Sequence, residues 1–419
     1  MSNTFVNPTV VAKEALRQLK NNCVMGNLAF RGYESEWDKS PNGYKIGSSV
    51  TVKAPVYFRV KDGATLDAVD LVERSTSFTI SYRKHVAWVC TSQEMTLNID
   101  KFSQRFIQPA MQALANFIDV TMLGLYKGIP NQVGTPGTTP SDFYTFAQAG
   151  ARLDEEACPQ ENRHCVIDPQ AQAKLADHLK GLFNNSMVGD AVTKAKIGDI
   201  AGFNMYKSQN VNTHTCGTWA GSAAVLMDAT NNQGDATIAV DQNGAGSALT
   251  VKQGDIFTIG SVNSVNPISG QSTGSLRQFV ADADNTFADA GGGDFQIAAL
   301  TCTPGTAPYQ LYSSAAAEAY LPYQNVDALP QNNAAVAIAG SSALQHKANL
   351  SFHRDCLGLV MAPLEMPASA VWKAQESHEG FRIRVIRDYD ITNDQEYIRF
   401  DVLFGVKVLN PNLGCRIAG

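Results

Sequence analysis

Charge is scarce in this chain for its size. Asp, Glu, Lys and Arg make up only 17% of its 419 residues, against about 25% in an average soluble domain. A surface so thinly charged is expected to end against other subunits rather than in water. No basic block offsets the net charge of −6, which argues against the phosphate-gripping face of a nucleic-acid reader. No apolar run approaches the roughly 18–20 residues of a membrane-spanning helix, so no membrane partner is expected. Residues 1–25 also lack the basic, apolar, small-residue layout of a secretion signal, and the expected compartment is a cytoplasm. The eight cysteines, Cys23, Cys90, Cys158, Cys165, Cys216, Cys302, Cys356 and Cys415, form no CxxC pair. They read as buried free thiols rather than a disulfide framework.

A hydrophobic share of 44% and this length point to two or three folded units. The first element is an amphipathic helix. Asn7 can cap it, Pro8 suits its first turn, and Val11, Ala12, Ala15, Leu16 and Leu19 share one face. Residues 46–90 read as a long β-hairpin. One strand covers 47–56, and the return strand alternates over Phe78, Ile80, Tyr82, Val86 and Trp88. The tip between them carries Arg59, Lys61, Asp62, Asp67, Asp70, Glu73 and Arg74 with few large apolar residues. A tip of roughly 20 residues far exceeds an ordinary hairpin loop. Its charges are expected to make contacts between subunits.

From Asp100 to Tyr126 apolar residues recur at three- and four-residue steps, predicting a long spine helix that Pro109 either kinks or starts. A strand at 165–167 leads into a helix with Asp168 as cap and Pro169 in its first turn. Residues 197–214 read as a short strand between turns. Near residue 221 the chain turns Gly-, Ala-, Asn-, Asp- and Ser-rich, with strands expected at 249–251, 255–259, 276–280 and 295–300. This stretch predicts a separate β domain, barrel-like, inserted into a mixed α/β domain that resumes after about residue 343. The last part is β again: Phe381, Ile383 and Val385 alternate with arginines, a turn holds Asp388, Asp390 and Asp394, and Tyr397 opens a strand to Leu409.

Chemistry has little to attach to. Gly270-Gln271-Ser272-Thr273-Gly274 fits the G-x-S-x-G nucleophile elbow, but that motif needs a helix directly after the serine, and Leu276 to Val280 reads as a strand. His164-Cys165 and His353-x-x-Cys356 are half-sites for zinc at best. Asp388, Asp390, Asp394 and Glu396 lack the glycine and terminal glutamate of a calcium loop. Gly244 and Gly246 start a GxG that no helix follows. The reading is of no catalytic residue, no cofactor and no metal.

The order of parts, and several stretches in particular, carry a resemblance. The most distinctive is Val251-Lys252-Gln253-Gly254-Asp255-Ile256-Phe257-Thr258-Ile259, with Val265-Asn266-Pro267 and Gln271-Ser272-Thr273-Gly274-Ser275-Leu276-Arg277-Gln278-Phe279-Val280 after it. Leu350-Ser351-Phe352-His353-Arg354-Asp355, Arg382-Ile383-Arg384-Val385 and Arg399-Phe400-Asp401-Val402-Leu403-Phe404-Gly405 add to it. The chain resembles the major capsid (coat) proteins of tailed bacteriophages, of the short-tailed Salmonella-phage type with an inserted β domain. The resemblance implies an α+β chain with the tailed-phage, Hong Kong phage-type capsid fold. Its parts would be an N-terminal arm (1–45), an extended hairpin loop (46–90), a peripheral domain with the spine helix (91–158), a central domain in two parts (159–220 and 343–395), the inserted β domain (221–342) and C-terminal strands (396–419). It also implies self-assembly as pentamers and hexamers into an icosahedral shell, built in the host bacterial cytoplasm and ending in the virion. The implied partners are a scaffolding protein, a portal protein at one vertex, packaged double-stranded DNA held non-specifically, and in some cases a decoration protein. An encapsulin-like compartment shell shares that fold. From other classes, a serine hydrolase has only the GQSTG loop in its favour, and a phage tail component would show repeats this sequence lacks.

Overall fold

The computed structural model describes residues 8–33, 47–53, 56–64, 66, 68, 70, 72–73, 75–91, 103–179, 198–220, 225–235, 237–242, 249–287, 295–296, 300–301, 310–370 and 372–419. The chain is mixed α+β and divides into two units. One comprises Met1–Thr51, Ser77–Leu123 and Leu357–Lys407; the other comprises Val52–Thr76, Gly124–Cys356 and Val408–Gly419.

In the first unit the N-terminal helix spans Pro8–Asn22. Its predicted apolar face, Val11, Ala12, Ala15, Leu16 and Leu19, is buried as the 3.6-residue period requires. Asn7 lies outside the described residues. The spine begins as a π turn at Ser103–Ile107 and becomes α-helical over Gln108–Leu123. Pro109 thus sits where the π turn passes into the α-helix, at the start of the α-helical part. Further along, the buried Asp119 accepts the backbone N–H groups of Val24 (2.9 Å) and Met25 (3.0 Å), which opens the short helix Met25–Leu28. Burial pushes the Asp119 carboxyl up to about 6, against the opposing effect of those backbone donors.

The sheet of this unit runs Leu357–Met361, Gln395–Val408, Phe381–Asp390, Trp372–His378, and Tyr82–Thr91 also pairs with Gln395–Val408. Ser49–Lys53 pairs with Ser75–Thr79, so the expected hairpin forms, but its return strand does not run on as one. The return strand is broken at Ile80 and Ser81, and Tyr82–Thr91 pairs antiparallel with the C-terminal strand, from Tyr82 opposite Phe404 to Thr91 opposite Gln395. The reason is aromatic packing that the alternation pattern could not assign to a partner. Tyr82 stacks on Phe404 (5.3 Å between centroids), and Trp88 on Phe400 (5.4 Å) and on Phe106 (6.1 Å). Gly405 is required nearby, because a Cβ there would lie 2.4 Å from the Thr79 carbonyl oxygen. Asp401, wholly buried, is held by Arg384 Nη2 at 2.7 Å and by Arg399 Nε at 2.8 Å.

The second unit centres on a six-stranded sheet. Its order is Gln132–Val133, Gly414–Ala418, Gln345–His353, Arg163–Ile167, Asn204–Lys207, with Thr213–Thr215 pairing the start of Gln345–His353. Phe146, Leu153, Cys165, Ile167, Phe203 and Ile417 form the core against it. Asp168 caps the helix Pro169–Leu179 as its sequence predicts, accepting the N–H groups of Gln170 and Ala171, each at 3.1 Å. Among the described residues the Gly-rich stretch forms four small antiparallel sheets, the largest ordered Ser272–Val280, Ile256–Val265, Val336–Ile338. They share an apolar core of Trp219, Phe257, Ile259, Phe279, Leu311 and Val326.

Candidate functional site

The hairpin tip, residues 54–74, is covered in part by residues of its own chain. Arg59 Nη2 donates to Gln324 Oε1 (2.8 Å), and Lys61 Nζ lies 3.1 Å from Glu318 Oε2. The Tyr323 hydroxyl donates to the Val72 carbonyl at 2.7 Å, and Tyr57 meets the Tyr323 ring edge-on at 6.0 Å. The result is a groove of about 480 Å³ between the tip and residues 318–323. Glu73 pairs with Lys53, while Asp62 and Asp70 are exposed; Asp67 and Arg74 lie outside the described residues.

Sequence reasoning counted the charges of the tip and missed its apolar side chains. Phe58, Val60 and Leu66 are 77%, 98% and 90% exposed. Side chains this large and this bare leave apolar surface in water. The signal was present in the alternation Phe58-Arg59-Val60-Lys61, which puts charges on one side of an extended segment and apolar groups on the other.

The GQSTG segment closes a hairpin. Asn266 Oδ1 accepts from Ile268 N and Ser269 N, the Gly270 N–H returns to the Asn266 carbonyl, and Ser272 opens the strand Ser272–Val280. The Ser272 hydroxyl donates to Asp327 Oδ2 at 3.3 Å. A strand follows the serine, so the strained strand-to-helix elbow is not formed. The half-sites for zinc lie on paired strands, Arg163–Ile167 beside Gln345–His353, but among the described residues they do not gather into a group of ligand atoms. Cys165 is in the apolar core, and the Asp355 N–H donates to His353 Nδ1. In the acidic turn Asp390 accepts from Thr392 N and Asn393 Nδ2, Asp394 accepts from the Tyr389 hydroxyl, and Glu396 pairs with Arg387. Gly244 and Gly246 lie outside the described residues.

Two buried polar networks tie the Gly-rich stretch to the rest of its own unit. In the first, Arg277 Nη1 meets Glu156 Oε1 at 2.5 Å, Ser264 Oγ donates to the same oxygen, and Arg277 Nη2 reaches Asn412 Oδ1. Beside it the Gln278 side chain acts as a strand: its Oε1 accepts Gln132 N at 2.7 Å and its Nε2 donates to Gln132 O at 2.9 Å. In the second network, His214 Nε2 faces Asp255 Oδ1 at 2.9 Å and His214 Nδ1 faces the Tyr126 hydroxyl at 3.0 Å. Asp255 Oδ2 accepts from Gly217 N, Lys252 N and Trp219 Nε1. Cys216 and His346 complete the cluster; burial raises the Cys216 thiol to about 11 and lowers His346 to about 4. Arg416 lies over the Tyr126 ring and donates to the Gly254 carbonyl, and burial draws it down to about 10. Both networks are enclosed. Both join strands that are far apart in sequence, which is architecture.

Comparison with known proteins agrees with an architectural role. The family model described as P22 coat protein, gene protein 5, matches residues 1–419. The chain is 24% identical over 396 residues to a major capsid protein of Acyrthosiphon pisum secondary endosymbiont phage 1, covering 89% of each. Among solved structures it is similar to a chain of Mycobacterium phage Che8, at 13% identity and a TM-score of 0.48, over 94% of this chain and 90% of that one. It is also similar to the CUS-3 coat protein I-domain, at 23% identity and a TM-score of 0.18, over 28% of this chain and 94% of that one. The protein is thus a major capsid protein of a tailed bacteriophage, a subunit of the phage shell. Within that class, the chain belongs to the P22 coat protein family.

Proposed function

We propose that the chain tiles a closed icosahedral shell around double-stranded phage DNA, as pentamers and hexamers, and catalyses nothing. The family match over residues 1–419 carries this reading. In it, assembly takes place in the host cytoplasm on a scaffolding protein, a portal occupies one vertex, and the DNA is contacted non-specifically. Low charge supports the first part: with 17% charged residues, most of the surface can dock without stripping water from ions. Residues 221–342 act as an inserted domain carried by the central domain, the two networks being its attachment. Arg59, Lys61, Asp62, Asp67, Asp70, Glu73 and Arg74 set the register of the hairpin tip against a neighbouring subunit, as complementary charge does at interfaces. Phe58, Val60 and Leu66 supply the apolar area that such a contact needs.

Negative-stain microscopy tests this reading. The chain expressed with the neighbouring gene products is expected to give closed particles tens of nanometres across, the usual scale of such shells, and aberrant or no particles when expressed alone. Featureless aggregate or monomer under both conditions would contradict it.

A further inference from the structure

The cluster of His214, Cys216, Asp255 and His346 has the composition and layout of a metal centre. His214 lies on Thr213–Thr215 directly opposite His346 on Gln345–His353, so the two imidazoles project from one face, with ring centroids 5.3 Å apart. Cys216 follows, fixed by its N–H bond to the Leu344 carbonyl. Asp255 enters from the turn before Ile256–Val265. All four side chains are buried. Potential ligand atoms of His214, Cys216 and Asp255 lie within 4.8 Å of one another, and Cys216 Sγ is 3.9 Å from His346 Nδ1. A tetrahedral zinc-class ion with bonds of about 2.0–2.3 Å holds its ligands roughly 3.5 Å apart. The donors of His214, Cys216 and Asp255 close by little more than about an ångström to reach that spacing, and Cys216 Sγ and His346 Nδ1 by less.

The surroundings carry the case further than the four donors do. Metal-bound histidines keep their second ring nitrogen on an oxygen, and metal-bound carboxylates are themselves hydrogen-bonded. Both features are present. His214 Nδ1 rests on the Tyr126 hydroxyl at 3.0 Å, and Nε2 faces Asp255 Oδ1 at 2.9 Å. Asp255 Oδ2 is saturated by three N–H donors, whereas Oδ1 meets only His214 Nε2. We propose that His214 Nε2, Cys216 Sγ, Asp255 Oδ1 and His346 Nδ1 bind one divalent ion of the zinc class, which pins the β insertion to the central sheet. On binding, the ion replaces the Cys216 thiol proton, which leaves to solvent, and the proton of His214 sits on Nδ1, donated to Tyr126. Thiolate and carboxylate together balance the two charges of the ion. Arg416 is a cation packed close by, so binding is expected to be weaker than at a four-cysteine site.

The test is a cobalt titration of the full-length, metal-stripped protein, followed by X-ray absorption of the zinc-loaded form. One Co2+ per chain is expected to give a near-ultraviolet thiolate-to-cobalt band with tetrahedral d–d bands, all displaced by Zn2+. Zinc absorption should report one sulfur and three nitrogen or oxygen neighbours. Cys216→Ser should remove the thiolate band and His346→Gln should weaken binding at least tenfold, while Cys90→Ser changes neither. A folded wild-type chain with no thiolate band overturns the site, as does a shell with no sulfur or with two or more. The absorption measurement needs no variant and decides the matter even where Cys216→Ser does not fold.

Discussion

Replacing Arg277 by Met is the sharpest probe of how the Gly-rich β stretch is held. The change removes a guanidinium from a buried carboxylate: Glu156 is 1% exposed, and its Oε1 takes Arg277 Nη1 at 2.5 Å and Ser264 Oγ at 3.1 Å. Removing one partner of a buried pair costs about 3–5 kcal/mol, because the other charge is left without compensation. Arg152 Nη2 stays 4.0 Å from Glu156 Oε1, so the lower end of that range applies, about 3 kcal/mol or roughly a hundredfold in the unfolding equilibrium. Trp219 packs into the apolar core of this stretch, and its fluorescence, isolated by replacing the other three tryptophans with Phe, reports unfolding in urea. The expected result is a lower midpoint at an unchanged slope. Adding Glu156→Gln should recover more than about 1 kcal/mol of the loss, since the uncompensated charge is then gone. A loss below about 1 kcal/mol in the single variant would mean that Glu156 is solvated, and burial would not be what makes the pair matter.

The remaining expectations concern the first unit and the tip. Burial raises Asp119 to about 6, above an unfolded carboxyl near 4, so its contribution to stability is full below about pH 4 and is lost as pH rises through 6. Thermal melts of the wild type should therefore fall between pH 4.5 and 7 by more than those of Asp119→Asn; parallel curves would contradict the assignment. Reversing Arg59 and Lys61 to Glu removes the bond to Gln324 and the exposed pair with Glu318, worth about 0–1 kcal/mol for the latter. Circular dichroism and melting should barely change, while light scattering should register blocked or misdirected assembly with scaffold. Assembly at the normal rate and salt dependence would leave the tip without a role.

Local features were legible in the sequence. The N-terminal helix announced itself by the spacing of Val11, Ala15 and Leu19, the helix after Asp168 by its cap, and the strand Leu249–Val251 by its β-rich run. The fate of the G-x-S-x-G segment was readable too, because Leu276 to Val280 alternates as a strand does. Pairing was not legible. Nothing local says that Tyr82–Thr91 leaves its hairpin for the C-terminal strand, since that choice is made by Phe400 and Phe404 more than 300 residues away. The polar clusters were hidden for the same reason. His214, Asp255 and His346 are each unremarkable alone, and only the register of Thr213–Thr215 on Gln345–His353 brings them together. The exposed Phe58, Val60 and Leu66 were obscured differently, by surrounding charges that made the tip read as polar.

The central claim is that this chain is a shell subunit rather than a self-sufficient globular protein, and sedimentation velocity tests it most directly. Purified protein should sediment as a slow monomer or small oligomer by itself. With its scaffolding protein added, it should shift to a single fast boundary with the mass of a closed shell. A chain that remains monomeric with every candidate scaffold, across concentration and salt, would contradict the account.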